Sequence, residues 1–594
     1  MKVGEKVSNT EVVTSIVILT LNKLEYTMDC IQSIREYTRN VQYEIIVVDN
    51  GSTDGTREWL LTQKDIISIL NDKNVGFPSG CNQGIEIAKG KTVMLLNNDV
   101  IVTENWLANL LNCLYSSEEI GAVGPITNSA SYYQAVTANY STIIEMHNFA
   151  KEYHEANKGE WEQRLKLIGF CMLIKKEVIN KIGMLDEVFT PGHYEDDDYS
   201  YRMMQAGFKL MLCKDVFIHH YGHITFNDQG TPSSPIIRAN REKFNKKWGF
   251  DSIYSSYIRG DVISLINTED KDARIKVLEI GCACGGTLLG IKNKYRNAEL
   301  YGIELNPNSA AIASLFATVS ASNIEKEMDF EEEFFDYIIF PDVLEHLVEP
   351  WLVLANMKKY LKPNGKVLSS IPNIMHHSVI RGLLNGRWEY EDAGLLDRTH
   401  LRFFTAFEIK KMFENAGYQK IEFSTNMPAT STEDEAFIDG ISRLGNPELA
   451  TQYRVYQYLV RAVKDDNYNL LYSLIASIDQ KLDYKNELSS IINFVATNQI
   501  TCADIIQVIN ERSMNKQDSL NLLSCIFYEE GLHDHVLPLL SHSLSIDDTH
   551  RDTLFNLGYF LYKANAVDLA INYLQQIEEK DNTTKELLNL LSRS

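Results

Sequence analysis

The run KTVMLLNNDV, Lys91–Val100, decides the architecture of the N-terminal half. Val93 to Leu96 are apolar without interruption, as in a strand covered on both faces, and Asn97, Asn98 and Asp99 follow where that strand surfaces. Such a polar triplet serves either as turn chemistry or as a tip that holds a ligand. Upstream, SIVILTL (15–21) and EIIVVDN (44–50) read as two more buried strands, with the amphipathic YTMDCIQSIREY (26–37) between them. Strands alternating with helices predict a parallel α/β sheet, whose carboxyl edge binds ligands. Asp49, at the end of the second strand, is expected on that edge beside Asp99.

A second α/β series runs through RIKVLEIG (274–281), AELYGIEL (298–305), FFDYIIFPDVLEHL (334–347) and KVLSSIPN (366–373). The polar stretch 251–272 is expected to be a linker. The predicted units are therefore an α/β domain over 1–250, a second over 273–430, and an all-helical region over 431–594, where apolar residues recur at helical spacing. Within that region Leu520, Leu523, Phe527, Val536 and Leu540 recur thirty-four residues later as Leu554, Leu557, Leu561, Ala570 and Leu574, with Ser524 matched by Gly558. Thirty-four is the tetratricopeptide period, so a repeat-like tail offering a groove to a protein partner is expected.

A chain of 594 residues accommodates three such units. Its 80 acidic against 57 basic side chains, net −23, argue against sequence-independent binding to nucleic acid or anionic membrane. Nine scattered cysteines lack the paired spacing of a zinc site, and their odd number argues against a complete disulfide framework. With no apolar run long enough to span a bilayer, a cytoplasmic location without an integral membrane segment is expected.

The ordered motifs VVDNGSTDGT (47–56), NVGFPSGCNQGIEIAKGK (74–91) and NND resemble the donor-binding half of family 2 glycosyltransferases of the GT-A fold. The resemblance spans roughly residues 12 to 250. It implies a nucleotide-sugar donor held by Thr20, Asp49, Gly76, Asn82, Asn97 and Asn98. It also implies a divalent cation, Mg or Mn, on Asp99, which takes the place of the last acid of the family's Asp-x-Asp motif. Asn97 replaces the first acid. Hard cations prefer oxygen ligands, and a diphosphate leaving group needs its charge neutralised. Downstream, HYEDDDYSYR (193–202) matches the family's acidic motif, with Glu195-Asp196 as its pair and Asp196 as the implied general base; Asp197 and Asp198 leave that assignment open by one position. Acids at a helix N-terminus are also favoured by the macrodipole alone. His220, in HHYGH, is the implied histidine at the cation or diphosphate, with His219 and His223 as alternatives.

In the second unit VLEIGCACGG (277–286) places Glu279, Gly281 and Gly285 after a strand and before a helix, and Glu304 ends the next strand. That spacing fits a nucleoside but does not separate a nicotinamide from a methyl donor. Together with FDYIIFPDVLEHL and the turn at Pro363, Asn364 and Gly365, the segment 273 to 425 resembles class I S-adenosylmethionine-dependent methyltransferases of the ubiquinone and sugar type, with Ala283 in place of a common glycine. The resemblance implies S-adenosylmethionine bound by Glu279, Gly281, Gly285, Glu304, Asn323 and Asp342. It places GLLDRTHLRFFT (394–405) near the acceptor, with His400 or His346 taking a proton and Asp397 and Arg402 ordering the loop. Cys282 and Cys284 read as small loop residues.

The whole is expected to be a bifunctional glycan-modifying enzyme. One domain transfers a sugar with inversion to a glycan or glycoprotein acceptor and the other O-methylates, in bacterial surface polysaccharide or flagellin-type glycan synthesis. The alternative is a methyltransferase whose glycosyltransferase-like domain only binds glycan.

Overall fold

A computed structural model describes residues 13–222, 235–326 and 328–592 of the chain. Its first sheet has the order Ile66–Leu70, Tyr43–Asp49, Thr14–Thr20, Thr92–Asn97, Cys171–Lys175, Ile120–Thr127, Lys209–His220, Val100–Ile101, with Trp161–Arg164 paired beside Lys209–His220. The first four are parallel, and Cys171–Lys175 runs antiparallel to Thr92–Asn97. In register Thr20 faces Asp49, and Leu19 faces Asn97. The chain leaves the central strand toward one neighbour and returns on its other side, which opens a crevice at the carboxyl ends. Helix Phe77–Ile87 packs tightly there: a Cβ at Gly80 would meet Leu19 at 2.3 Å and one at Gly84 would meet Val17 at 2.3 Å. Close approach of helix to sheet, rather than ligand contact, accounts for these two glycines.

The second sheet has the order Thr318–Ala321, Glu299–Glu304, Lys276–Ile280, Phe335–Pro341, Leu361–Pro372, Gln457–Val463, Gln419–Asn426. The first five strands are parallel and the last two pair antiparallel. Strand Gln457–Val463 corrects the expected boundary at 430. It fills the gap between Leu361–Pro372 and Gln419–Asn426, burying Leu459, Val460 and Ala462. The continuous helical region therefore starts at Asp466.

The expected linker 251–272 is also corrected. It forms helices Ser252–Ser255 and Gly260–Ser264 and buries Val262, Ile263 and Ile266 against the second sheet. A single apolar cluster joins Phe244 and Phe250 of the first unit to Cys284, Leu289 and Ile312 of the second. Gln163 N donates to Asn293 Oδ1 at 3.0 Å, and Asn306 Nδ2 donates to Gly249 O at 2.9 Å.

From Asp466 onward helices pack in sequence, and the thirty-four-residue recurrence falls on successive helix pairs, Lys516–Glu529 with Val536–Ile546 and Arg551–Lys563 with Val567–Gln575. A Cβ at Gly558 would meet Leu574 at 2.5 Å, so a small residue is required at that crossing. All nine cysteines are free, and among the described residues no helix is long and apolar enough to cross a membrane.

Candidate active sites

The carboxyl edge of the first sheet opens into a cleft of about 1220 Å³ that receives Thr20, Asn97, Asn98, Asp99, His220, Glu195 and Asp196. Strand Thr92–Asn97 delivers the triplet to its rim, and strand Lys209–His220 brings His220 alongside. Asp99 is 4% exposed, and its Oδ1 accepts no well-formed hydrogen bond; His220 Nε2 lies 3.3 Å from it. His220 Nδ1 lies 2.7 Å from Ser129 O, and the imidazole stacks on Phe170 with centroids 5.0 Å apart. With the Nδ1 proton shared with that carbonyl, Nε2 faces Asp99: protonated, it pairs with the carboxylate, and deprotonated, its lone pair is placed to ligate a metal. Burial opposes charging of His220, but the Asp99 carboxylate outweighs it and raises the imidazole above its ordinary value. Asn97 Nδ2 is 3.5 Å from the same Nε2. Asn98 donates to Thr20 Oγ1 at 3.2 Å and Thr27 Oγ1 at 3.1 Å, which fixes the tip from behind.

Three of the expected donor residues lie elsewhere. Asp49 is fully buried and accepts from Ser52 N at 3.1 Å, closing the turn after its strand. Asn82 donates to Leu185 O at 2.9 Å and accepts from Leu185 N at 3.0 Å, so it ties a helix to a loop. Gly76, with φ 90°, precedes helix Phe77–Ile87, where a Cβ would strike Thr190 Cγ2 at 2.6 Å. The cleft wall is supplied instead by Asn50, Asn74 and Phe77 of the same segments. Of the alternative histidines, His219 is 2.6 Å from Tyr140 Oη, and burial pushes its pKa down to about 4; His223 lies outside the described residues.

The acidic run divides by partner. Asp198 is fully buried between Arg202 Nε at 2.9 Å, Trp248 Nε1 at 2.9 Å and Lys247 Nζ at 2.6 Å. Asp197 accepts from Lys166 Nζ at 2.8 Å and from the Ser252 hydroxyl. Asp196 holds no cation: it accepts only from backbone, Gly169 N and Asp197 N, each at 2.9 Å. Burial, reinforced by the Asp197 charge, pushes its pKa up to about 6. Glu195 is 7% exposed with a partnerless Oε2, and burial followed by the Asp196 charge raises it well above the carboxylate range. A carboxylate poised near neutrality at the cleft surface has the protonation behaviour of a general base. Lys166 and the adjoining Tyr132 and Tyr133 also line this cleft. The sequence did not single out these tyrosines; the structure marks them, since both take left-handed backbone, φ 53° and 58°, which non-glycine residues adopt mainly at constrained sites.

At the switch point of the second sheet, the loop after Lys276–Ile280 turns on Gly281 (φ 70°), Ala283 (φ 47°) and Gly285 (φ 84°). Ala283 thus tolerates a conformation usually given to glycine, while a Cβ at Gly285 would meet Phe316 at 2.6 Å. Glu304 accepts from Ala283 N at 2.8 Å and Asn306 N at 2.7 Å, clamping the loop to the neighbouring strand end. Glu279 is buried with Oε2 partnerless, and burial pushes its pKa up to about 8. Asp342 (φ 55°) accepts from Ser370 Oγ at 2.8 Å and is bonded to Arg259 and Gln457. Asn323 Oδ1 accepts from Glu325 N at 2.9 Å, capping a turn beyond the Glu304 strand pair.

His346 and His400 come together, ring centroids 4.7 Å apart, over Glu345. One ligand-type atom from each of these three residues lies within 4.8 Å of the others, so the trio could hold a cation or relay a proton. Glu345 is 1% exposed, and neither carboxylate oxygen has a partner; burial, then the Asp342 charge, raises it well above its ordinary value. Burial and His346 lower His400, which keeps it neutral and able to accept a proton. Arg259 and Gln457 were not singled out in the sequence, because they lie outside the motif block and only the fold returns them to Asp342.

Two transferase domains are thus defined. Residues 15–183 match the model of glycosyl transferase family 2, and residues 254–422 match that of a methyltransferase domain. The chain carries both domains, each an enzyme domain. It is 26% identical over 250 residues to glycosyltransferase GlyG of Streptococcus pneumoniae, covering 40% of this chain and 76% of the relative. It is 28% identical over 153 residues to a ubiquinone biosynthesis O-methyltransferase of Idiomarina loihiensis, covering 25% of this chain and 62% of the relative, less than two thirds of that protein. A solved structure, a mannosyltransferase of Pyrobaculum calidifontis in complex with GDP-Man and Mn2+, aligns with 18% identity over 36% of this chain and 57% of its own, at a TM-score of 0.27.

Proposed function

We propose that the chain is a bifunctional glycan-modifying enzyme, an inverting glycosyltransferase joined to an S-adenosylmethionine-dependent O-methyltransferase. The carrying observation is the convergence, in one cleft, of the Asp99–His220 pair with the separately perturbed carboxylate of Asp196.

In the cleft, a nucleotide-sugar diphosphate meets Asp99 and His220, whose Oδ1 and Nε2 fit a hard divalent cation, Mg or Mn, as a mixed carboxylate and imidazole set. Such an ion neutralises the charge that grows on a leaving diphosphate. Asp196 takes the proton of the acceptor hydroxyl, and Glu195, kept protonated by burial, avoids adding a second charge beside it. Lys166 holds Asp197 so that the helix start stays aimed at the cleft.

In the second domain, the left-handed loop at Gly281 to Gly285 admits a nucleoside close to the backbone, and Glu304 stands where ribose hydroxyls would donate. The buried, partnerless Glu279 Oε2 fits the same polar ligand. S-adenosylmethionine supplies an electrophilic methyl when bound. His400 accepts the proton of an acceptor hydroxyl, with His346 and Glu345 orienting it. Geometry of approach dominates such a transfer. The acceptor is proposed to be a bacterial surface polysaccharide or a glycoprotein glycan such as that of flagellin, and the helical region to dock a protein partner in a tetratricopeptide-like groove.

Mass spectrometry of glycans from cells with and without the protein tests the reading. Loss of one sugar unit together with one methyl is expected. Loss of the methyl alone, with the sugar retained, overturns the bifunctional assignment.

A further inference from the structure

Between the two domains lies a second cavity of about 450 Å³, a volume within the range of small-molecule sites. Tyr133 and Arg164 of the glycosyltransferase domain form one wall; Tyr257, Gly260, Asp261 and Asn426 form the other. Tyr133 and Tyr257 also line the large cleft, so the two hollows meet at this pair of rings, whose centroids are 6.1 Å apart at 60°.

We propose that this seam is an oligosaccharide subsite, in which a neutral acceptor glycan runs from the glycosyltransferase cleft across Tyr133 and Tyr257 toward the methyltransferase. The inference rests on the reading that both domains act on a glycan. Four observations carry it.

The two tyrosines are 43% and 59% exposed, presenting apolar ring faces to the hollow, and such faces suit the C–H face of a pyranose. Tyr133 is held in place: its hydroxyl donates to Ile258 O at 3.2 Å, and its backbone adopts φ 58° directly after Tyr132 at φ 53°. Arg164 is only 9% exposed, and its Nε is buried without a partner although the side chain lines the cavity. A buried donor left unmatched costs free energy unless a ligand completes it, and a sugar hydroxyl is an acceptor of the right kind.

The charges favour a neutral guest. Arg164 and Lys214 share Glu162, and Asp261 and Asp342 share Arg259, so the cations and carboxylates about the seam balance as a group and leave no net charge for an ionic ligand. Finally, the far wall leads to the second active site. Arg259 binds Asp261 with one edge and Asp342 with its other nitrogen, so the cavity wall and the methyl-donor loop share one guanidinium. A glycan held at the seam would be tethered beside both domains, which raises its effective concentration at each.

Filling the cavity tests this. A Cβ at Gly260 meets no atom within 4 Å, so a side chain can start there and Gly260→Phe brings a ring to the cavity wall, while Asn426→Trp brings one from the exposed end of strand Gln419–Asn426. Binding to the full-length protein is measured by saturation-transfer NMR with maltotetraose, cellotetraose and chitotetraose against glucose and N-acetylglucosamine. At least one tetrasaccharide is expected to bind tenfold or more tightly than its monosaccharide, and both filled variants to lose that preference while retaining the monosaccharide affinity. Absence of any chain-length preference, or its survival in a folded filled variant, overturns the subsite. Donor hydrolysis assayed on the same wild-type sample separates the two readings: a preference without hydrolysis refutes the proposed glycosyltransferase activity and leaves the subsite standing.

Discussion

Lys166 Nζ donates to Asp197 at 2.8 Å, while the adjacent Asp196 receives only backbone donors, so neighbouring carboxylates of one helix turn carry different duties. Asp196→Asn is expected to lower sugar transfer by a factor on the order of 10² or more with little change in donor binding, the usual scale for loss of a general base. Asp197→Asn is expected to act on stability instead. It strands a lysine 5% exposed, and breaking such a buried pair costs about 3–5 kcal/mol. Steady-state transfer kinetics and the denaturation midpoint of both variants check the division; a folded, stable Asp197→Asn with the larger rate loss would move the base by one residue.

The raised pKa of Asp196 gives the sugar-transfer reaction an acid limb. A base acts only when ionised, so kcat/KM should fall tenfold per pH unit below about 6 and level off above it. The stability effect has the opposite sense. The folded group keeps its proton between its ordinary 3.8 and about 6, where the unfolded group has lost it, so stability declines as pH rises through that window and the deficit persists above it. Asp196→Asn should therefore be more stable than the wild type at pH 7 and no different below pH 3. Paired pH–rate and pH–melting curves measure both.

Asp99 and His220 approach from two strands of the first sheet, Asp99 after Thr92–Asn97 and His220 at the end of Lys209–His220, and their Oδ1 and Nε2 lie 3.3 Å apart. Asp99→Ala is expected to abolish metal-dependent donor hydrolysis while S-adenosylmethionine binding is kept. His220→Ala should raise the Mn2+ concentration needed for half-maximal activity. Full wild-type hydrolysis after exhaustive chelation would remove the metal from the reading.

Much of this site could be read from the chain because it lies on strand ends, where a continuous apolar run followed by NND fixes both the element and its exposed tip. Asp99, Asn97 and Thr20 fall in the cleft for that reason, and Asp196 enters it from the first turn of helix Glu195–Gln205, where the acidic motif marks it. Asp49 and Asn82 do not, because turn closure and helix docking use the same residue types as ligand binding, and only their partners Ser52 and Leu185 tell them apart. Strand Gln457–Val463 was illegible for a different reason. QYLVRAV follows an acidic helix and precedes a long helical region, and its strand identity comes from the slot between two distant strands. Arg259 was hidden in a polar stretch whose order depends on the second sheet lying beneath it.

Glu304 clamps the cofactor loop by accepting from Ala283 N and Asn306 N. Glu304→Ala should weaken S-adenosylmethionine binding by ~1–3 kcal/mol, the scale for hydrogen bonds to a charged acceptor. Calorimetry belongs on the full chain, because Phe250 and Leu289 share one apolar cluster across the two domains. Tight binding of a nicotinamide cofactor in place of the methyl donor would overturn the assignment.

The last prediction separates the second domain from the helical region by where the chain is cut. A chain ending after Thr430 lacks Gln457–Val463, leaving strands Leu361–Pro372 and Gln419–Asn426 with unpaired edges and exposing the apolar face that covers Val460 and Ala462. It also removes Gln457, one of the groups bonded to Asp342. Loss of S-adenosylmethionine binding is expected, with aggregation through the open edge. A chain ending after Lys464 keeps the seven-stranded sheet and the bond from Lys464 N to Gly365 O at 2.8 Å. It should bind the methyl donor within about twofold of the full chain and retain donor hydrolysis, since no group of residues 466–592 lines the large cleft. What should fall is action on a macromolecular acceptor, because stacked helix pairs present an extended recognition surface. Comparing a free oligosaccharide with the whole acceptor discriminates: equal loss on both, with a lower melting temperature, would assign the helices to stabilising the fold rather than to docking a partner.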